Sequence, residues 1–242
     1  MMARSHALLG AAGWLAAAPI VADRIHQPIG LPALAASTVV CAGAALLPDL
    51  DHHDGLIANA LGPVTRVLTR GVARASGGHR HATHSLLFGL LMAVLTWALV
   101  RYGGRPAMLA TALLCAAFAL RAIGLTELGS SERLRWPQVA LVAGALTWTE
   151  ARYIPGTWHW LPVAVAAGCW LHVLGDLLTP EGVPLLWPWR ERLALPVIDH
   201  TNSWSETFIV GPALGVAIFS LAWVHFAPVR TAALSWLVGL IP

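Results

Sequence analysis

Long apolar runs separated by short polar stretches dominate the pattern of the chain. A helix needs roughly 20 apolar residues to cross about 30 Å of hydrocarbon, and several runs reach or approach that length. The candidate spans are residues 7–22, 29–47, 85–100, 106–126, 137–153, 160–178 and 207–226. A last run, 232–241, is too short to predict a span. The pattern predicts an all-α fold, a polytopic membrane helical bundle of about seven transmembrane helices.

One segment between the candidate spans, residues 56–75, has a different pattern. Its apolar positions recur at helical spacing and are Leu61, Val64, Val67, Leu68 and Val72. A basic stripe runs beside them at Arg66, Arg70 and Arg74. Apolar and basic stripes on one helix are typical of a helix that lies on an anionic membrane surface. We therefore predict a surface amphipathic helix in addition to the bundle.

Composition supports an integral membrane protein with a single domain, residues 1–242. Hydrophobic residues make up 57% of the chain and charged residues 11%, which leaves no room for a separate soluble domain. All 15 basic side chains are arginines scattered over loops, so we expect topology signals and lipid contacts rather than nucleic-acid binding. The three cysteines lie in apolar runs and are expected to be core residues. The N-terminal run is expected to be a retained first helix rather than a signal peptide.

Counting membrane crossings places distant polar segments on one face. If each candidate helix crosses once, the two long connections lie on the side that holds His6. The same count brings His172 and Asp176, at the end of the sixth helix, and Glu206, at the start of the seventh, to that side. We call it the site face. Arginine is more frequent in its loops than in those opposite, so the positive-inside rule predicts that it is cytoplasmic.

Carboxylates and histidines are concentrated in these site-face segments. His172 and Asp176 are four residues apart, so a helix places both side chains on one side, where they can share a metal ion. Asp49 and Asp51 are separated by one residue, and a divalent cation would keep both ionised. These pairs therefore predict ligands of a common metal site.

The segment 78–85 packs three histidines and an arginine against the start of an apolar run. His79 and His84 supply imidazoles, whereas Arg80 supplies a fixed cation suited to a phosphate or carboxylate. His81 is a weaker candidate because its neighbours already supply nitrogen donors. Other weaker candidates are His52, His53, Asp54 and His200.

Mixed histidine and carboxylate ligands suit Zn²⁺ and also Mn²⁺ or Fe²⁺. The candidate ligands are His6, Asp49, Asp51, His79, His84, His172, Asp176 and Glu206. They exceed what one structural zinc needs, so two or more ions are expected. A metal of this kind lowers the pKa of bound water, and the chain has no G-x-S-x-G nucleophile motif.

The blocks that carry this chemistry are His6, Leu-Pro-Asp-Leu-Asp-His at 47–52, Gly-His-Arg-His-Ala-Thr-His-Ser at 78–85, and the stretch 172–188. Together they resemble the YdjM-like family of bacterial inner-membrane proteins, described as membrane-bound metal-dependent hydrolases. Glu206 sits where such proteins tend to carry a glutamate. The resemblance covers roughly residues 1–210 and implies a helical membrane protein with a hydrolase-like metal centre. A fainter likeness to zinc-dependent phospholipase C implies phosphoester chemistry.

We therefore expect a metal-dependent hydrolase of the bacterial inner membrane that cleaves a phosphoester or other ester in a lipid or lipid-linked substrate. Asp51 is the expected general base, and Arg80 is expected to hold the substrate anion. Two alternatives stay open: a transporter of divalent cations or protons, and a non-catalytic scaffold that uses metal for folding. Against transport, the sequence shows no internal repeat and no comparable polar group deep in the opposite half of the membrane.

Overall fold

A computed structural model describes residues 1–52, 55–124, 132–189, 191–199, 202–227 and 231. Over these residues the fold contains α-helices and no β-strand, so the all-α prediction is confirmed. The α-helices are α1 (Ala3–Arg24), α2 (Leu31–Ala44), α3 (Pro63–Ser76), α4 (Leu86–Ile123), α5 (Glu132–Tyr153), α6 (Leu161–Leu177) and α7 (Gly211–His225). Short 3₁₀ turns cover Pro48–Asp51, Leu56–Asn59 and Ala82–His84, and a π-helical turn covers Glu206–Val210. The run 232–241 lies outside the described residues.

Four described segments are long and apolar enough to cross a membrane. They are Ala3–Arg24, Leu31–Asp51, Leu86–Ile123 and Glu206–His225. The helix Leu161–Leu177 is apolar but shorter. The predicted number of seven spans is therefore not confirmed, although the membrane-protein class is supported.

Helix α4 contains a break that divides it into two arms. It has 38 residues, and a straight helix of that length would measure about 57 Å, nearly twice the hydrocarbon thickness. Gly104 has non-helical angles, φ 61° and ψ −148°. The first arm starts beside α6, where Trp170 Nε1 donates to the Leu86 carbonyl oxygen at 3.0 Å. Gly104 shares a cavity with Trp158, at the other end of α6, so the first arm runs antiparallel to α6.

The second arm returns from the break and packs against α2. A Cβ built on Gly43 would lie 1.8 Å from the carbonyl oxygen of Cys115. Helix α6 approaches α2 in a similar way, since a Cβ on Gly168 would lie 2.5 Å from the Cys41 carbonyl oxygen. Small residues therefore allow close contact of three helices around α2. The two arms correspond to the hairpin predicted for residues 85–100 and 106–126.

Replacing Gly43 with alanine should destabilise the bundle by about 1–3 kcal/mol, because the added methyl group must push two backbones apart. Unfolding of the detergent-solubilised protein measures the effect. Gly144→Ala in α5 is the matched control, since its Cβ would meet no heavy atom within 4 Å. A Gly43→Ala protein as stable as this control would contradict the close packing.

The predicted amphipathic helix is divided in the structure. A 3₁₀ turn, Leu56–Asn59, precedes α3, and Gly62 between them has φ 59°. Val64 and Val67 on α3 are exposed, whereas Thr65 is buried and donates from Oγ1 to the Ala58 carbonyl oxygen at 3.0 Å. The helix therefore lies on the surface, as predicted, but it begins at Pro63 and turns a polar side toward the protein.

Candidate metal centre

Histidines and aspartates from four parts of the chain lie in one cluster. They come from α1, the turn after α2, the segment before α4, and the end of α6. Distances of 3.7 Å or less between ring nitrogens and carboxylate oxygens link the whole cluster. Its members are His6, Asp49, Asp51, His79, His84, His172 and Asp176. The structure therefore brings together all but one of the predicted ligands.

Four ligand atoms at the centre of this cluster have the spacing of a tetrahedral metal site. The Nε2 atoms of His84 and His172 lie 3.1 Å apart. Asp176 Oδ2 lies 3.5 Å from each of them, and Asp49 Oδ1 lies 3.6 Å from His84 and 3.7 Å from His172. Donors about 2.0 Å from a tetrahedral zinc ion are separated by about 3.3 Å. These four residues could hold one cation without a large rearrangement.

Hydrogen bonds fix the histidine rings with Nε2 free for a ligand. His172 Nδ1 donates to the Ala45 carbonyl oxygen at 2.7 Å. His79 Nδ1 lies 2.8 Å from Asp51 Oδ1, and His84 Nδ1 lies 3.5 Å from Asp51 Oδ2. Metal-binding histidines commonly hold their second ring nitrogen in this way, because the partner fixes both tautomer and orientation.

Asp51 lies behind the histidines rather than in the centre. Thr83 Oγ1 donates to its Oδ2 at 2.6 Å, the Arg80 backbone N–H donates to the same oxygen at 3.1 Å, and His79 occupies Oδ1. With its side chain fully buried and both oxygens engaged, Asp51 is placed to orient His79 and His84. This differs from the prediction that Asp51 is a metal ligand and the general base.

Local backbone structure sets the position of His84. Ser85 caps α4 by accepting a hydrogen bond from the Phe88 N–H at 3.2 Å, so His84 is fixed immediately before a helix N-terminus. Gly78 and Arg80 both have positive φ, 115° and 57°. Such a φ is uncommon for arginine, and at Arg80 it accompanies the backbone hydrogen bond to Asp51.

His6 reaches the cluster because a glycine leaves room for its ring. The His6 and His172 rings stack with centroids 3.7 Å apart, and His6 Nε2 lies 3.2 Å from Asp176 Oδ1. A Cβ on Gly175 would lie 3.2 Å from the His6 ring. Sequence reasoning missed Gly175, although its position between His172 and Asp176 on the same helix was a usable signal.

Arg80 forms one wall of a cavity of about 340 Å³ beside the cluster. Its guanidinium group lies 3.3 Å from Asp176 Oδ2 and 2.8 Å from Glu181 Oε2. Arg80 is buried, but the Glu181 side chain is 70% exposed. Asp49 and His79 also line the cavity. The candidate ligands are therefore accessible from one side, next to a fixed positive charge.

Glu206 does not join the cluster. Its Oε1 accepts a hydrogen bond from the Met2 N–H at 2.6 Å, and its Oε2 accepts one from the Asn202 N–H at 2.8 Å. Both oxygens are used to hold backbone, so the structure places Glu206 as an anchor for the start of α1, which differs from its prediction as a metal ligand. Of the weaker candidates, His52 and His81 are exposed, and His53, Asp54 and His200 lie outside the described residues.

Electrostatics at His84 favour a cation. Burial alone would lower its pKa, but the hydrogen bonds and charges of Asp49 and Asp51 raise the pKa of His84 to about 9. A bound metal ion would therefore compete with a proton at this ring.

Comparison with known proteins supports the sequence resemblance. Residues 1–241 match the family described as YdjM inner membrane protein. The chain belongs to the YdjM family. Two relatives, each named Inner membrane protein YdjM, come from Escherichia coli (strain K12) and Shigella flexneri, and each is 28% identical over 188 residues. The aligned region covers 77% of this chain and 66% of those relatives, just under two thirds of their length. No solved structure matches the chain.

Two groups of three donors in this YdjM-family chain could each hold a metal ion. One is His6, His172 and Asp176, and the other is Asp49, His79 and His84. Within each group the donor atoms lie within 4.8 Å of one another, and the 3.1 Å contact between His84 and His172 joins the groups. The cluster therefore has enough donors for two neighbouring ions, although the geometry does not identify the metal.

Replacing Asp51 with asparagine should weaken metal binding about 10–100-fold without removing a ligand, because the amide would hold His79 and His84 less well. Titration of chelator-treated protein with Zn²⁺ measures the affinity. At saturating Zn²⁺ the variant should bind as many ions as the wild type. A lower saturating count would instead make Asp51 a ligand, as the sequence predicted.

Proposed function

We propose that this chain is a membrane-embedded, metal-dependent hydrolase that cleaves a phosphoester or other ester in a lipid or lipid-linked substrate. The observation that carries the proposal is the tetrahedral spacing of the central donor atoms of His84, His172, Asp49 and Asp176. An adjacent cavity reaches these donors. A purely structural zinc site is usually closed by protein ligands, whereas a catalytic site keeps an open side.

The cofactor in this proposal is a pair of divalent ions, Zn²⁺ first, with Mn²⁺ or Fe²⁺ as alternatives. Each three-donor group has the number of protein ligands that catalytic zinc sites commonly have. When bound, such ions polarise a phosphoryl or carbonyl oxygen and lower the pKa of water. Their identity and number are for metal analysis to establish.

The chain's own residues provide binding and orientation in this reaction. Arg80 would hold an anionic substrate group, exchanging its contact with the exposed Glu181 for the new anion. Its contact with Asp176 would keep the guanidinium group beside the metal ligands. Asp49, whose side chain is 24% exposed and lines the cavity, is better placed than Asp51 to accept a proton from a reacting group.

A lipid substrate agrees with where the ligands lie along the helices. His6 is in the first turns of α1, His84 precedes α4, and Asp176 ends α6, so the cluster sits at the ends of apolar helices. A head group at the membrane surface could reach this site while its acyl chains remain in the bilayer. The excess of arginine in site-face loops supports a cytoplasmic orientation.

The arrangement favours hydrolysis over metal transport. A transport path would need metal donors in the opposite half of the bundle as well. Among the described residues, both groups of three clustered donors lie at the site face. The opposite half contains the buried Glu150, but no such group surrounds it.

Activity of purified protein tests the proposal. Chelator-treated protein is reloaded with Zn²⁺ or Mn²⁺ and incubated with a panel of phospholipids and polyprenyl phosphates, and released head group or phosphate is measured. We expect metal-dependent hydrolysis by wild type and by His81→Ala, but not by His172→Ala. No hydrolysis with any metal, together with metal-dependent ion flux in vesicles, would replace the hydrolase with a transporter. Neither activity, together with unfolding on metal removal, would favour the scaffold.

A further inference from the structure

A second polar site lies in the opposite half of the bundle, between α2 and α5. Glu150 is only 9% exposed, and its Oε2 has no hydrogen-bond partner among the described residues. It lines a cavity of about 300 Å³. The remaining lining residues are Pro32, Ala35, Ala36, Val39, Leu146, Thr149, Tyr153 and Ile154. A lone buried carboxyl group therefore faces a mainly apolar cavity.

The position of this cavity separates it from the metal centre. Helix α2 ends at Ala44, next to the carbonyl group that His172 contacts, so the start of α2 lies at the opposite end of the bundle. Glu150 is in the last turn of α5. The metal centre and Glu150 therefore belong to opposite faces, and this inference does not rest on the proposed hydrolase activity.

Burying a carboxyl group without a partner is costly, and a cation would remove much of that cost. None of the ion pairs among the described residues involves Glu150. Arg105, a nearby basic residue, donates instead to the Ala151 carbonyl oxygen. The negative end of the α5 dipole adds to the attraction for a positive charge. Thr147, three residues before Glu150 on the same side of α5, also has a buried hydroxyl without a partner.

We propose that this cavity binds the primary ammonium group of an amphiphile, with the ammonium on Glu150 and the apolar body against α2. An ammonium group has three donors, which suits the free Glu150 oxygen and the Thr147 hydroxyl. A bare metal ion is a poorer occupant because a single carboxyl group faces an apolar wall. The cavity lies at the lower end of the range for small-molecule sites, about 300–1,000 Å³. The amine could belong to an aminophospholipid or to a free alkyl amine.

Calorimetric titration of the full chain in neutral detergent tests the proposal with n-octylammonium chloride and n-octanol as probes. Wild type should bind the ammonium probe about tenfold or more tightly than the alcohol, and Glu150→Gln should lose that preference. Ala35→Leu, which fills the cavity but keeps the carboxyl group, should weaken both probes. Unchanged metal content in Glu150→Gln would show that the metal centre, and thus the test of the proposed hydrolase, is unaffected.

Native mass spectrometry with phosphatidylethanolamine and phosphatidylglycerol distinguishes the sources of the amine. Selective retention of phosphatidylethanolamine by wild type but not by Glu150→Gln would assign the site to a lipid head group. Binding of octylammonium without that selectivity would assign it to a free amine. Equal binding of the alcohol and the ammonium probe, or an unchanged preference in Glu150→Gln, would overturn the proposal.

Discussion

Replacing His84 with alanine should remove nearly all tightly bound metal from the purified protein. His84 Nε2 lies within 3.6 Å of donor atoms on His172, Asp49 and Asp176, so it belongs to the centre of the cluster and to the contact that joins its two groups. Loss of this one imidazole leaves neither the tetrahedral set nor the group that it forms with Asp49 and His79. Elemental analysis of folded, monodisperse protein measures the metal per chain.

His81→Ala is the matched control for this experiment. His81 lies three residues before His84 in the same histidine-rich segment but is exposed, so its removal should leave the metal content unchanged. If His84→Ala does not yield folded protein, His84→Gln keeps a side chain of similar length and should still reduce metal content strongly. Full metal retention in a folded His84 variant, or equal loss in both variants, would contradict the site.

The crossing count predicted the meeting of distant residues because it depends on helix number and length, which apolar runs report well. It correctly treated residues 85–100 and 106–126 as a hairpin, and the break at Gly104 provides the reversal. His6, the Asp49 turn, His84 and Asp176 therefore reach one place. The exact number of spans did not follow, because α6 is short and α5 carries several charged residues.

The sequence could not separate the roles of Asp49 and Asp51. Both follow Pro48 in one 3₁₀ turn, and composition gives them equal chances of facing the metal. The difference arises from residues about thirty positions later, because Thr83 and the Arg80 backbone take Asp51 away from the centre. Tertiary hydrogen bonds of this kind leave no local pattern.

Two buried glutamates show the same limit in opposite ways. Glu206 looked like a ligand because it opens a helix at the site face, but its oxygens hold the Met2 and Asn202 backbone. Glu150 gave no signal because it lies near the end of an apolar run, where a charged residue usually reaches water. Its burial depends on how α5 packs against α2, which the sequence alone does not specify.

The second large effect should come from Asp176→Asn. Asp176 is buried and surrounded by basic groups, with Arg80 NH2 at 3.3 Å, His6 Nε2 at 3.2 Å and the Met1 ammonium group at 2.8 Å. Removing its charge leaves these groups without their shared anion, and breaking a buried ion pair typically costs about 3–5 kcal/mol. The variant should also lose bound metal, because Asp176 belongs to the tetrahedral set.

Chelator-treated protein separates these two consequences, since metal loss cannot contribute to its unfolding free energy. In that state Asp176→Asn should still be destabilised, and Arg80→Gln should be destabilised less because Glu181 remains an exposed partner. The double variant should be more stable than the sum of the single effects predicts, since each substitution removes the charge that the other leaves unpaired. Strictly additive effects would mean that the two charges are not coupled. Arg80 would then be free to hold a substrate anion without support from Asp176, and the link between the metal ligands and the anion site would be lost.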